Sequence, residues 1–77
     1  MRIQVLGTGC AKCKTLAANA EQAVRELGLD AQVEKVEDVR EIMKFGVMVT
    51  PALALDGKVK AVGKVLTASA IKELLAP

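Results

Sequence analysis

The stretch Leu6-Gly7-Thr8-Gly9-Cys10-Ala11-Lys12-Cys13-Lys14 contains the only two cysteines of the chain, separated by two residues. It follows an apolar run and precedes a helical pattern. A sulfur in the first turn of a helix faces backbone N–H groups that lack carbonyl partners and the positive end of the helix dipole. Both stabilise a thiolate over a thiol. Lys12 and Lys14 add positive charge nearby. The spacing therefore marks Cys10 as an activated, partly exposed nucleophile and Cys13 as the partner that closes a disulfide with it.

On the N-terminal side, Ile3, Val5 and Leu6 read as a short strand ending at Gly7. The Gly7-Thr8-Gly9 turn lets the backbone bend sharply and approach whatever docks there. On the other side, Cys13, Leu16, Ala17, Ala20, Val24 and Leu27 recur at helical steps, and Gly28 supplies the stop. Cys13 falls on the buried stripe, whereas Cys10 sits one turn earlier at the exposed end. The two sulfurs thus meet different environments, as an attacking and a resolving thiol require.

The rest of the chain alternates in kind. Leu29, Ala31 and Val33 alternate with Asp30, Gln32 and Glu34, which predicts a second strand. Asp38 and Glu41 resemble a capping box for a short helix with Val39, Ile42 and Met43 on its apolar face, ended by Gly46. Thr50-Pro51 opens an apolar strand, Ala52 to Leu55, and Asp56-Gly57 turns it into an antiparallel return, Lys58 to Val62. Thr67 is the N-cap of a last helix carrying Ala70, Ile71, Leu74 and Leu75. Met43, Phe45 and Met48 are read as core. The order is strand, helix, strand, helix, strand, strand, helix.

Composition narrows the function classes. Seventy-seven residues, 52% of them hydrophobic and only one aromatic, suit a single domain over 1–77. No run is long enough to cross a bilayer, and the N-terminal apolar stretch is too short for a signal peptide, so a cytoplasmic protein is expected. Net charge is +2, and Lys58, Lys60 and Lys64 lack an aromatic neighbour, which fits a solvated hairpin face rather than a nucleic-acid surface. The chain has no histidine, which removes Cys-His and Ser-His hydrolase arrangements.

A CxxC after the first strand of a βαβ unit, joined by Thr50-Pro51 before a hairpin, resembles the thioredoxin–glutaredoxin superfamily. More narrowly, the chain resembles the small, single-domain redox-active disulfide proteins of bacteria and archaea. The resemblance implies an α/β fold of βαβαββα order, a four-stranded mixed sheet with helices on both faces. It implies that Pro51 is cis beside the disulfide, although composition alone predicts a trans bond. Cys10 corresponds to the attacking and Cys13 to the resolving cysteine of thiol–disulfide exchange. Gly9, Ala11, Lys12, Thr50 and Pro51 would contact the substrate, with the Thr50 backbone pairing to an extended segment. The expected partners are a disulfide reductase and client disulfide proteins, met by a monomer that needs no cofactor, metal, membrane or nucleic acid.

Departures from the family are specific. Gly9 stands where thioredoxins carry tryptophan, and Ala11-Lys12 replaces Gly-Pro. The first strand and first helix stripe offer no acidic residue to take the Cys13 proton. The glycine pair that helps glutaredoxins hold glutathione is missing.

A rival reading is soft-metal binding, since monovalent copper suits two thiolates. Copper chaperones, however, carry a Met-x-Cys start, and Thr8 stands at that methionine position here. A third reading keeps the fold but uses the pair as a redox sensor in a binding module.

Overall fold

The computed structural model describes residues 1–75, so the last two residues of the expected 1–77 domain lie outside the described residues. Strand β1 (Arg2–Leu6) leads through residues 7–10 into helix α1 (Ala11–Leu27), followed by β2 (Gln32–Val36) and α2 (Val39–Lys44). A hairpin of β3 (Ala52–Leu55) and β4 (Lys58–Val62) precedes α3 (Ala68–Leu75). The strands lie in the order β2-β1-β3-β4. β1 runs parallel to β2 and antiparallel to β3, which is antiparallel to β4. This is the four-stranded mixed α/β sheet that the family resemblance implies.

Side chains alternate across a strand, so β1 serves two layers. Ile3 and Val5 pack with Leu16, Ala17, Ala20 and Ala23 of α1, Leu53 and Leu55 of β3, and Ile71 and Leu75 of α3. Leu6 faces the other way, with Ile42 of α2, Val47 and Ala52. Helices therefore cover both faces, α1 and α3 on one and α2 on the other. Strand β3 is buried on both sides, which is why its sequence is an unbroken apolar run.

The hairpin turn closes as its Asp-Gly sequence requires, with φ of 50° at Asp56 and 87° at Gly57. It is also tied to β1. The Arg2 N–H donates to Asp56 Oδ1 at 2.7 Å, and the Gly57 N–H donates to Oε1 of buried Gln4 at 3.1 Å. Lys72 of α3 reaches Glu26 of α1 at 2.6 Å. That ammonium, with the Gln22 amide, holds the Glu26 carboxyl below its usual pKa.

Three local expectations are corrected. The second strand begins at Gln32, not Leu29. The Leu29 N–H instead donates to Val24 O at 3.2 Å, closing α1 around the left-handed Gly28. The Asp38 side chain caps α2 by accepting from the Arg40 N–H at 2.8 Å, but Glu41 pairs with Lys44 instead of completing a capping box. Met43 and Met48 are not core: they are 67% and 97% exposed, while Phe45 does pack against the second cluster. No helix among the described residues is long and apolar enough to cross a membrane.

Leu16 is fully buried between α1 and the sheet. Leu16→Ala should cost about 2–5 kcal/mol by lost burial and cavity formation. The half-exposed end of the same stripe should tolerate Leu27→Ala at under about 1 kcal/mol. Guanidinium unfolding of both variants checks the difference, and equal midpoints would contradict the packing described.

Candidate active site

The carboxyl end of β1 is where the chain must leave the sheet and start α1. In open α/β sheets that end gathers functional groups. The Gly7 N–H donates to Val36 O at 3.0 Å, so the exit of β1 is pinned to the end of β2. Residue 7 must also be small. A methyl group on Gly7 would lie 3.1 Å from Cys13 Cβ, overlap Cys13 Sγ, and stand 3.8 Å from Thr50 Cβ. Gly9 adopts φ of 90°, a left-handed conformation that favours glycine, and delivers Cys10 to the helix entrance.

Cys10 is the N-cap of α1, with extended backbone angles of −68° and 166°. Its Sγ accepts the Cys13 N–H at 3.2 Å, taking the place that a Ser or Asp oxygen fills in most helices. Its carbonyl accepts the first helical bond, from the Lys14 N–H at 3.0 Å. Cys10 is exposed, whereas Cys13 is only 5% exposed, and the two are joined in a disulfide with Cα atoms 5.0 Å apart. The contrast in environment follows from their places on α1.

The structure brings the other predicted residues to the same place. Ala11 and Lys12 are exposed in the first turn of α1, and Gly9 is half-buried beside Cys10. The Thr50-Pro51 bond is cis. Pro51 is buried, and its carbonyl accepts the Gly63 N–H at 2.8 Å, which clamps the loop to the far end of β4. Thr50 is exposed, and neither its N–H nor its C=O has a backbone partner among the described residues.

Two groups escaped the sequence reading. Lys35 and Glu37 line a small cavity of about 70 Å³ behind the disulfide, together with Cys13 and Lys14. Glu37 Oε2 lies over Gly9, 3.0 Å from where a side chain there would begin. The signal was the parallel pairing of Leu6 with Val36, which sets the residue after Val36 beside the turn after Leu6. That register is a long-range relation, absent from the local pattern of β1 and α1. Among the described residues, no three or more Cys, Asp or Glu side chains gather as a metal cage.

The family model for the thioredoxin domain matches residues 1–76. The thioredoxin of Methanothermobacter thermautotrophicus is 45% identical over 75 residues, covering 97% of each chain. The thioredoxin of Methanocaldococcus jannaschii is 45% identical over 73 residues, covering 95% of this chain and 84% of that one. With the mixed sheet and the disulfide at the entrance of α1, these similarities establish that the chain belongs to the thioredoxin family and is a thiol–disulfide oxidoreductase.

Proposed function

We propose that Cys10 is the attacking thiol and Cys13 the resolving one, acting within a single domain on protein or small-molecule disulfides. The observation that carries this is the Cys13 N–H directed at Cys10 Sγ at an exposed helix entrance. In the reduced protein the same donor and the helix dipole favour the Cys10 thiolate. Lys12, exposed in the same turn, adds positive charge to that end.

The exchange runs in two displacements. The Cys10 thiolate attacks one client sulfur, and the client's other sulfur leaves as a thiolate that takes up a proton. Cys13 then gives up its proton and attacks Cys10 Sγ, releasing the first client sulfur. Two electrons have passed to the client, and the Cys10–Cys13 disulfide remains for a disulfide reductase to reopen. Glu37 is the carboxylate among the residues lining the cavity behind Cys13, and it is assigned the Cys13 proton, directly or through a water.

The peptide groups of Thr50, which have no backbone partner among the described residues, are assigned to an extended client segment, held as a short added strand. Gly9, Ala11, Lys12 and Pro51 complete the contact surface around Cys10. A reversible pair of this kind, serving client disulfide proteins, belongs in the reducing cytoplasm.

Iodoacetamide alkylation of the reduced protein should show Cys10 half-reactive well below the value of about 8.5 typical of free cysteine. Cys13→Ser should accumulate a mixed disulfide with a peptide substrate, and Cys10→Ser should form none; the reverse pattern would exchange the two roles. In Glu37→Gln, rapid-quench measurement of mixed-disulfide release near neutral pH should show a slower second step with a shifted pH profile. An unchanged profile would assign the proton to solvent. Gly7→Ala should strain the oxidised form, making the disulfide easier to reduce in a glutathione titration and costing about 1–3 kcal/mol in unfolding. A variant with the wild-type redox equilibrium would remove the steric role given to Gly7.

A further inference from the structure

Charge is distributed unevenly around the disulfide. Lys12 is exposed in the first turn of α1, and Lys14 and Lys35, also exposed, line the cavity at Cys13. Glu37 is the one carboxylate among the residues lining that cavity. The Thr50 side adds nothing to offset the lysines, since residues 45–55 carry no charged side chain. In α2 and its cap, Asp38 and Glu41 balance Arg40 and Lys44. Three ammonium groups therefore stand against one carboxylate, and the positive end of the α1 dipole adds to the excess.

These lysines have no partners. Ion pairs among the described residues join Arg2 to Glu34 at the start of β1, Glu41 to Lys44 within α2, and Glu26 to Lys72 at the end of α1. None includes Lys12, Lys14, Lys35 or Glu37. A thiolate repels an approaching anion, and exchange moves negative charge from Cys10 onto the client sulfur that leaves. Unpaired cations beside Cys10 offset the repulsion. Charges of one sign gathered at a reaction site raise the encounter rate of oppositely charged substrates. Exposed pairs add little to affinity in water, so the effect belongs to the rate.

We propose that Lys12, Lys14 and Lys35 select disulfides that carry anionic groups close to the sulfur under attack. The proposal rests on the attacking role of Cys10 and adds the charge class of the substrate to it. The bond from Cys10 Sγ to the client sulfur forms as the client S–S bond breaks. That bond's electron pair leaves with the second client sulfur, which takes a proton from solvent, and the anionic group is unchanged.

The test uses the reduced full-length protein in single turnover with three disulfides of similar size. These are 3,3′-dithiodipropionate, a dianion, bis(2-hydroxyethyl) disulfide, which is neutral, and cystamine, a dication. Each second-order rate is divided by that of the same disulfide with 2-mercaptoethanol thiolate, which removes differences in intrinsic reactivity. The wild type should favour the dianion over the dication by about tenfold at low salt. The ratio should approach one in about 1 M salt, where screening acts within about 3 Å. K14Q/K35Q should reduce the ratio to about threefold or less, and K14R/K35R should retain it. K58Q/K60Q, which removes the same charge from β4, should retain it too. Two peptides with a pyridyl-blocked cysteine, flanked on both sides by Asp or by Lys, extend the comparison. Preference for the Asp peptide places acidic polypeptides in the substrate class, and preference confined to dithiodipropionate limits the class to small disulfides.

A wild type that exchanges well with bis(2-hydroxyethyl) disulfide yet shows a ratio of one at low salt overturns the selection alone. So does a ratio that persists in K14Q/K35Q, or one that falls equally in K58Q/K60Q and so reports net charge. A wild type inert toward every disulfide overturns the role of Cys10 and the selection with it.

Discussion

The donation of the Cys13 N–H to the Cys10 sulfur is the contact on which the site depends. A helix leaves its first N–H groups unpaired, and most helices answer with a hydroxyl or carboxylate. Here a sulfur takes that position, so the demand of the helix for an acceptor and the demand of the chemistry for a stabilised thiolate coincide. The contact survives only if α1 starts close against the end of β1. That closeness is set by Gly7, which leaves no room for a side chain against Cys13 and hydrogen-bonds to the end of β2. One glycine thereby couples sheet geometry to sulfur chemistry.

The core explains why so short a chain can hold this arrangement. Ile3 and Val5 bind β1 to α1, β3 and α3, and Leu6 binds it to α2 and the segment leading to Pro51. Both clusters therefore anchor the strand that ends at the site. The loop at Pro51 is fixed further by the hydrogen bond from Gly63 at the end of β4. Because Ala52 pairs with Leu6, the residues flanking Pro51 and Gly7 are held to one another across the sheet.

The sequence disclosed the βαβαββα order, the two cysteines, and their unequal burial, because these rest on local signals: helical spacing, a glycine stop and an Asp-Gly turn. The cis bond before Pro51 came from family resemblance, since composition alone favours trans. Three features were out of reach. Leu29 looks like the start of a strand, but the closing turn of α1 uses its N–H first. Glu37 belongs to the site only through the parallel register of β1 and β2, a long-range relation that no local pattern encodes. Met43 and Met48 fit a core by the average burial of methionine, but the short α2 and the loop after it leave both side chains in solvent.

That last failure concerns α2 more broadly. At six residues it is too short to be stable alone, and its place in the fold depends on packing. Only Ile42 of its apolar residues is buried, while Val39 and Met43 face solvent. A helix selected for stability alone would turn those side chains inward or replace them with polar ones. Keeping them exposed gives α2 a weaker anchor and leaves an apolar surface that reaches Thr8 and Thr50. The same segment, from the end of β2 to Pro51, supplies Glu37 to the cavity at Cys13 and the methionines to a cleft beside Thr50. One connection thus furnishes both a carboxylate in the cavity at Cys13 and an exposed apolar face.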